Sequence, residues 1–165
     1  MQKSVKFSVR FATKRDLTAV SKFGTPVVKS MKFYNKEHTA RNIYELSTKD
    51  LSKTFREHKN SIVIAVTEAS RVIGFCTHFP GHGHVDWLDW LLVDGGFRKL
   101  GVGRALIDFV MQDAKKRGCH KVWCDTNPHN KNAVNFFTRM GFRRIGVAQK
   151  HAFREDEIFW EKQIG

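Results

Sequence analysis

Cysteine, proline and acidic residues are all scarce in this 165-residue chain. Its three cysteines include no C-x-x-C pair, so we expect free thiols in a reducing compartment, by default the cytoplasm. The three prolines are isolated and no Pro- or Ser-rich linker occurs, so residues 1–165 are expected to form a single domain. The chain also lacks a long apolar run and an apolar leader after Met1, which argues against a membrane span and a secretory signal.

The scarcity of acidic residues leaves a large positive charge. Lys and Arg number 29 against 16 Asp and Glu, a formal net charge of +13. Such a charge attracts anions at long range, and the alternatives are nucleic acid, a phosphorylated cofactor, an acidic protein or simply a solvated basic surface. The cations are dispersed and no zinc-finger, RNP or helix-turn-helix signature accompanies them, so a nucleic-acid partner is disfavoured.

Hydrophobic periodicity predicts strands that alternate with helices. Strands are predicted at residues 5–12, 61–66, 72–76, 85–93, 121–124, 142–147 and 158–160. Helices are predicted from residue 14 onward, near 48–58, at 101–117 and at 133–140. The stretch 24–59 is polar and only patchily amphipathic. This order of elements predicts an α/β chain with a mixed sheet covered by helices.

A glycine- and cation-rich turn separates the predicted strand 85–93 from the helix 101–117. Glycines and a helix N-terminus bring backbone N–H groups together, which suits a phosphate or pyrophosphate. A dinucleotide-binding fingerprint fails because Leu106 stands where a glycine or alanine is needed. A P-loop fails because Val102 and Gly103 follow Gly101 in place of Lys and Ser or Thr. The alternative is that the glycines serve only the geometry of the turn.

The sequence Arg98-Lys99-Leu100-Gly101-Val102-Gly103 resembles the R/Q-x-x-G-x-G/A signature of the GCN5-related N-acetyltransferases (GNAT). Three further blocks resemble this family in the right order: Val9-Arg10-Phe11-Ala12-Thr13 with Asp16-Leu17, Val72-Ile73-Gly74-Phe75, and Asn130-Lys131-Asn132-Ala133 with Arg139-Met140-Gly141-Phe142. The resemblance covers nearly the whole chain except residues 24–58.

The resemblance implies both a fold and a reaction. The fold is a mixed, mostly antiparallel sheet of six to seven strands, splayed between strands 4 and 5 and flanked by about four helices. The reaction is transfer of an acetyl group from acetyl-CoA to a primary amine by direct attack on the thioester, with no metal. The implied binding groups are the backbone of Leu91, Leu92 and Val93 for the pantetheine arm, the amides of Arg98, Lys99, Leu100, Gly101, Val102, Gly103 and Arg104 for the pyrophosphate, and Asn130 and Phe137 beside the arm.

The reaction needs a base, because an alkyl ammonium with a pKa near 10 cannot attack until it loses a proton. Strand alternation predicts that Asp89 shares a face with Trp87, Leu91 and Val93, and that Asp86 faces solvent. Asp89 stands where similar family members carry a Glu or His proposed as the base. We therefore expect Asp89 to be catalytic, with a structural hydrogen-bonding role as the alternative.

Phe137 departs from the family pattern, which usually has a tyrosine there to protonate the leaving thiolate. The two tyrosines, Tyr34 and Tyr44, do not match that position, so water or Cys124 is left to act as the acid. The departure also motivates an alternative function, a catalytically silent acyl-CoA-binding or regulatory module. His78, His82 and His84 lie around a glycine turn without a ligand spacing typical of zinc, and are expected to form a substrate-side hairpin.

The positive charge also bears on the acceptor. A chain of +13 repels polycations, so we expect a neutral or acidic acceptor, namely the α-amine of a small molecule or of a peptide or protein N-terminus. A cationic acceptor would need a local acidic site near Asp89 and near Glu155, Asp156 and Glu157. The sequence leaves open whether the chain is a monomer or a homodimer.

Overall fold

A seven-stranded sheet organises the computed structural model, which describes residues 5–165. The strands are β1 Phe7–Phe11, β2 Ile62–Thr67, β3 Val72–Pro80, β4 Val85–Val93, β5 Lys121–Thr126, β6 Arg143–Ala148 and β7 Glu157–Gln163. Their spatial order is β1-β2-β3-β4-β5-β7-β6. Only β4 and β5 pair in parallel, and all other neighbours are antiparallel. The mixed, mostly antiparallel sheet predicted above is confirmed.

Five α-helices cover the two faces of this sheet. They are α1 Leu17–Ser30, α2 Lys36–Glu45, α3 Thr48–Glu57, α4 Val102–Lys116 and α5 Lys131–Arg139. Helices α1 to α3 bury their apolar side chains in one core cluster with Phe75, while α4 and α5 bury theirs in a second cluster with Ile73. Within residues 5–165, no helix has the length and hydropathy needed to cross a membrane.

Helix α1 is longer than the sequence pattern predicts, because it continues through Gly24 and Pro26. Val20, Gly24 and Val28 are spaced by four residues and form one buried stripe along the helix. A Cβ atom at Gly24 would lie 3.0 Å from Leu46 and 3.1 Å from the Phe75 ring. The glycine therefore lets α1 pack close to the sheet, although in the sequence it resembles a helix stop.

The sheet splays between β4 and β5. These two strands pair only at residues 85–87 and 121–123, which ends their ladder at Trp87 and Trp123. The rings of Trp87 and Trp123 lie 6.4 Å apart, and Phe159 packs against both. Beyond Trp87, β4 pairs with β3 alone, so its other edge has backbone N–H and C=O groups free of the sheet. The predicted splay is confirmed.

A β-bulge lies at Asp89. On β3, Thr77 pairs with Trp90 and the next residue pairs with Leu88, so Asp89 has no partner opposite it. The alternation of faces therefore slips by one residue: Leu88, Leu91 and Val93 pack towards α4, whereas Trp90 and Leu92 pack towards α1 to α3. Asp89 contacts Thr77 on the second of these faces. The prediction that Asp89 shares a face with Leu91 and Val93 is wrong, because it assumed a regular strand.

The prediction that Asp86 faces solvent is also wrong. Its side chain is fully buried and accepts hydrogen bonds at 2.8 Å from His78 Nδ1 and at 2.8 Å from Arg117 Nη2. Arg117, at the C-terminal end of α4, also binds Asp113 through Nε at 2.6 Å. Two donors thus satisfy a carboxylate that would otherwise be costly to bury. The pairing depends on α4 crossing β4, which the strand pattern does not encode.

Candidate active site

A cavity of about 340 Å³ opens where β4 and β5 diverge. Of the residues selected from the sequence, Asp89, Leu91, Leu92, Asn130 and Phe137 line it. Val93 and residues 98–104 lie beyond it, at the end of β4 and the start of α4. The turn at His82–His84 joins β3 to β4, and its residues are not among those that line this cavity.

The start of α4 presents free backbone donors. The first hydrogen bond of this helix joins Ala105 N–H to Gly101 C=O at 2.9 Å, so the N–H groups of residues 102–104 have no acceptor within the helix. Gly101 has a φ of 87°, which favours glycine, and this conformation turns the chain into the helix. A Cβ atom at Gly103 would lie 3.1 Å from the Phe136 ring, so a side chain here would require that ring on α5 to shift by a few tenths of an ångström.

Positive side chains surround these free donors. Arg98, Lys99 and Arg104 are all exposed around the start of α4. The N-terminal end of a helix carries a partial positive charge, and its free N–H groups point along the axis towards any ligand. Donor geometry and charge therefore both fit a phosphate or pyrophosphate group at this end of the cavity.

Asn130 and Phe137 hold the far wall of the cavity. Asn130 caps α5 by accepting the Ala133 N–H at 3.2 Å. The Phe137 ring stacks on Trp160 with centroids 6.2 Å apart and meets Phe142 edge-on at 5.1 Å. Phe137 is 5% exposed and therefore belongs to the core as much as to the cavity wall.

Asp89 places a carboxylate inside the cavity. Asp89 is exposed to the open cavity at the bulge, and the cavity walls displace much of the bulk water around it. Thr77 Oγ1 donates to its Oδ2 at 3.1 Å. Burial is the main cause that raises the pKa of Asp89 to about 7, the charge of Glu45 adds to it, and the Thr77 hydrogen bond opposes it. Asp89 therefore changes its protonation state near neutral pH.

The cavity is acidic although the chain is strongly basic. Glu45, Asp125 and Glu157 line it together with Asp89. Burial and the charge of Glu157 raise the pKa of Asp125 to about 6. A negative lining repels an acidic acceptor and provides the local acidic site that a cationic acceptor needs.

Sequence reasoning missed the part of the cavity wall that comes from residues 31–45. Tyr34 and His38 line the cavity with their rings 4.1 Å apart. His38 Nδ1 lies 2.6 Å from Glu155 Oε2, and Glu155 Oε1 accepts the Asn35 N–H at 2.6 Å. These contacts join the start of α2 to the segment before β7. Burial, with the nearby charges of Asp125 and Glu155, raises the pKa of Tyr34, so this phenol stays protonated.

A sheet that splits between two parallel strands around a cavity defines the acetyltransferase class of α/β fold. The solved structure of Ard1 from Thermoplasma volcanium shares it, with a TM-score of 0.78 and 17% identity over 98% of this chain and 99% of that one. The profile of the acetyltransferase (GNAT) family matches residues 25–142. The chain therefore belongs to the GNAT family.

The similarity to curated relatives covers a smaller share of each chain than the similarity to the Ard1 structure does. Peptidyl-lysine N-acetyltransferase YjaB of Escherichia coli is 26% identical over 64% of this chain and 65% of its own length. The [ribosomal protein bS18]-alanine N-acetyltransferase of Escherichia coli is 25% identical over 37% of this chain and 41% of its own length. The chain thus spans less than two thirds of the length of these relatives.

Proposed function

We propose that the protein is an acetyl-CoA-dependent N-acetyltransferase that acts, as a single domain, on a primary amine of a small molecule or of a peptide or protein N-terminus. One observation carries this proposal: the unpaired edge of β4 and the carboxylate of Asp89 open into the same cavity. The free edge suits an extended donor molecule, and the carboxylate suits an amine that must lose a proton.

The donor binds along β4 and ends at α4. Backbone groups of Leu91, Leu92 and Val93 hydrogen-bond the pantetheine arm as an added strand would. The amides of residues 98–104 and the adjacent cations bind the pyrophosphate. Asn130 and Phe137 flank the arm on the opposite side of the cleft. This arrangement directs the thioester towards Asp89.

Asp89 is the proposed general base. It takes a proton from the acceptor ammonium, directly or through water, and the freed lone pair attacks the thioester carbonyl carbon. A C–N bond forms, and the nitrogen of the tetrahedral intermediate loses its second proton to water. The intermediate then collapses to the amide, and the C–S bond breaks to release the thiolate of coenzyme A. A base is most effective when its pKa lies near the working pH, and the environment of Asp89 raises its pKa to about 7.

The leaving thiolate takes its proton from water in this proposal. Phe137 has no hydroxyl, and burial raises the pKa of the Cys124 thiol well above its usual value, which makes it a poor proton donor. A thiol with a pKa near 8.5 is a good leaving group, so the reaction proceeds without a dedicated acid.

The named relatives support an amine acceptor. YjaB is named for a peptidyl lysine and the bS18 enzyme for an alanine, and both names describe transfer to nitrogen. The three cysteines of the chain are unpaired, which fits a reducing compartment, and we place the protein in the cytoplasm.

Thermal unfolding and turnover together test the proposal. A ligand at 100 times its Kd stabilises the folded state by about 2.7 kcal/mol, so acetyl-CoA should raise the Tm. Chromatographic release of coenzyme A should then depend on an added primary amine. A raised Tm without turnover for any amine would favour the alternative suggested by Phe137, a silent acyl-CoA-binding module. Absence of both effects would overturn the proposed function.

A further inference from the structure

We infer that the acceptor carries a second positive charge, which Asp125 binds across the cavity from Asp89. This inference rests on the proposed function and specifies its substrate class. The acceptor is a primary amine with a further cationic group, such as the N-terminus of a basic peptide or a short diamine.

The pairing of the four carboxylates in the cavity carries the argument. Glu45 is bound to Arg41 at 2.6 Å, and Glu157 lies 3.8 Å from His151. Within residues 5–165, no Lys, Arg or His side chain forms an ion pair with Asp89 or Asp125. The two carboxylates that form no ion pair are therefore Asp89 on β4 and Asp125 on β5, the two splayed strands.

These two carboxylates are also crowded by other negative charges. Glu45 acts on Asp89 and Glu157 acts on Asp125, and in each case the repulsion disfavours the charged form, although His151 and His38 partly offset it at Asp125. A bound cation would relieve the repulsion at both positions. The chain carries a net charge of +13, but the electrostatic potential in this cavity is negative. A cationic group therefore gains more electrostatic free energy in the cavity than it would elsewhere on the surface.

Asn42 gives an independent indication of a ligand in the same cavity. Its side chain lies on α2, lines the cavity and is 5% exposed, and its Nδ2 has no hydrogen-bond partner in the described chain. A buried donor without an acceptor costs free energy unless a ligand supplies the missing oxygen. A peptide carbonyl group supplies such an oxygen, which favours a basic peptide over a diamine.

The second cationic group of the acceptor keeps its positive charge during the reaction. Asp89 accepts the proton from the amine that is acetylated, and the amide product loses that positive charge. The other cationic group keeps its proton and stays paired with Asp125 throughout. Asp125 is therefore a binding residue for specificity and takes no part in proton transfer.

The test compares acceptors that differ only in the second charge. One pair is the tripeptide amides Ala-Arg-Ala and Ala-citrulline-Ala, which are nearly isosteric and have one primary amine each. The other pair is 1,4-diaminobutane and 1-aminopentane. We expect kcat/KM to favour the charged member by about tenfold, the ratio that 1.4 kcal/mol produces. A preference in the peptides alone identifies a basic peptide, and a preference in the amines alone identifies a short diamine; either supports the inference.

Asp125→Asn should reduce this ratio to about threefold or less. Asp108→Asn is the matched control, because Asp108 is exposed on α4 and its loss changes net charge equally; its ratio should match the unaltered protein. Turnover with equal kcat/KM within each pair would overturn the second-charge inference while leaving the proposed function intact. No turnover with any acceptor would overturn the proposed function and this inference with it. The comparison within the unaltered protein does not depend on a variant that folds.

Discussion

Thr77 Oγ1 lies 3.1 Å from Asp89 Oδ2, and the same hydroxyl oxygen accepts the N–H of Trp90 at 3.1 Å. Thr77 therefore donates its one hydroxyl hydrogen bond to the Asp89 carboxylate, which the bulge exposes. A hydrogen bond to the charged form of an acid favours that form. This contact keeps the pKa of Asp89 lower than burial alone would set it.

The activity should depend on the protonation of Asp89. Because the pKa of Asp89 is raised to about 7 and only the carboxylate acts as a base, kcat/KM should rise with pH through about 7 and then level off. Asp89→Asn should lower kcat at pH 8 by about 100-fold or more. The rise in Tm caused by acetyl-CoA should remain. An undiminished kcat in this variant would show that another group acts as the base.

Removal of the Thr77 hydroxyl should move the pH dependence. Thr77→Val deletes the hydrogen bond that favours the charged carboxylate, so the pKa of Asp89 should rise and the midpoint of the kcat/KM profile should move to higher pH. Thr77→Ser retains the hydroxyl and should keep the original midpoint. A midpoint that stays the same in both variants would show that this contact does not control the titrating group.

Gly101 and Gly118 provide a matched pair at the two ends of α4. Both have positive φ, 87° and 78°, and at both a Cβ atom would meet nothing within 4 Å. Alanine at either position should cost about 1–2 kcal/mol of backbone strain and lower the Tm similarly. Only Gly101→Ala should also raise the Kd for acetyl-CoA, measured by titration calorimetry. Equal affinities in the two variants would contradict the placement of the pyrophosphate at the start of α4.

Asp86 should contribute far more to stability than Asp113, although both bind Arg117. Asp86→Ala leaves the buried His78 and the partly exposed Arg117 without their carboxylate partner, and this should cost about 3 kcal/mol or more, or about 6 °C in Tm. Asp113 is only partly buried, and Asp113→Ala should cost about 1 kcal/mol or less. Denaturant unfolding measures both changes. Similar losses in the two variants would mean that the buried pairing contributes little net stability.

The local motifs were predictable and the relations between distant segments were not. The turn before α4 is recognisable in the sequence because its glycines and cations are adjacent to one another. The bulge at Asp89 has no such signal, because it depends on which residues of β3 lie opposite. Alternation therefore gives the wrong face for Asp89 and misses the burial of Asp86, whose partners are contributed by β3 and α4.

The acceptor side of the cavity was hidden for a related reason. Helix α2 has few apolar residues, so periodicity gives no sign of it, although Asn35 caps its first turn by accepting the His38 N–H at 2.9 Å. Net charge also gives no sign of the acidic lining, since the sum over the chain conceals four carboxylates that folding gathers around one cavity. A charged residue directly after a predicted strand, such as Asp125 after 121–124, was the signal that could have revealed them.

The burial of all three cysteines has a practical consequence for measuring this chemistry. Cys76, Cys119 and Cys124 are at most 7% exposed, and burial raises the pKa of each thiol. Thiol-specific dyes react with accessible thiolates, so we expect these three side chains not to react with such a dye in the folded protein. Colour that develops during turnover then counts coenzyme A alone. On heating, the same dye reacts with the three cysteines once unfolding exposes them, so one reagent measures both catalysis and unfolding.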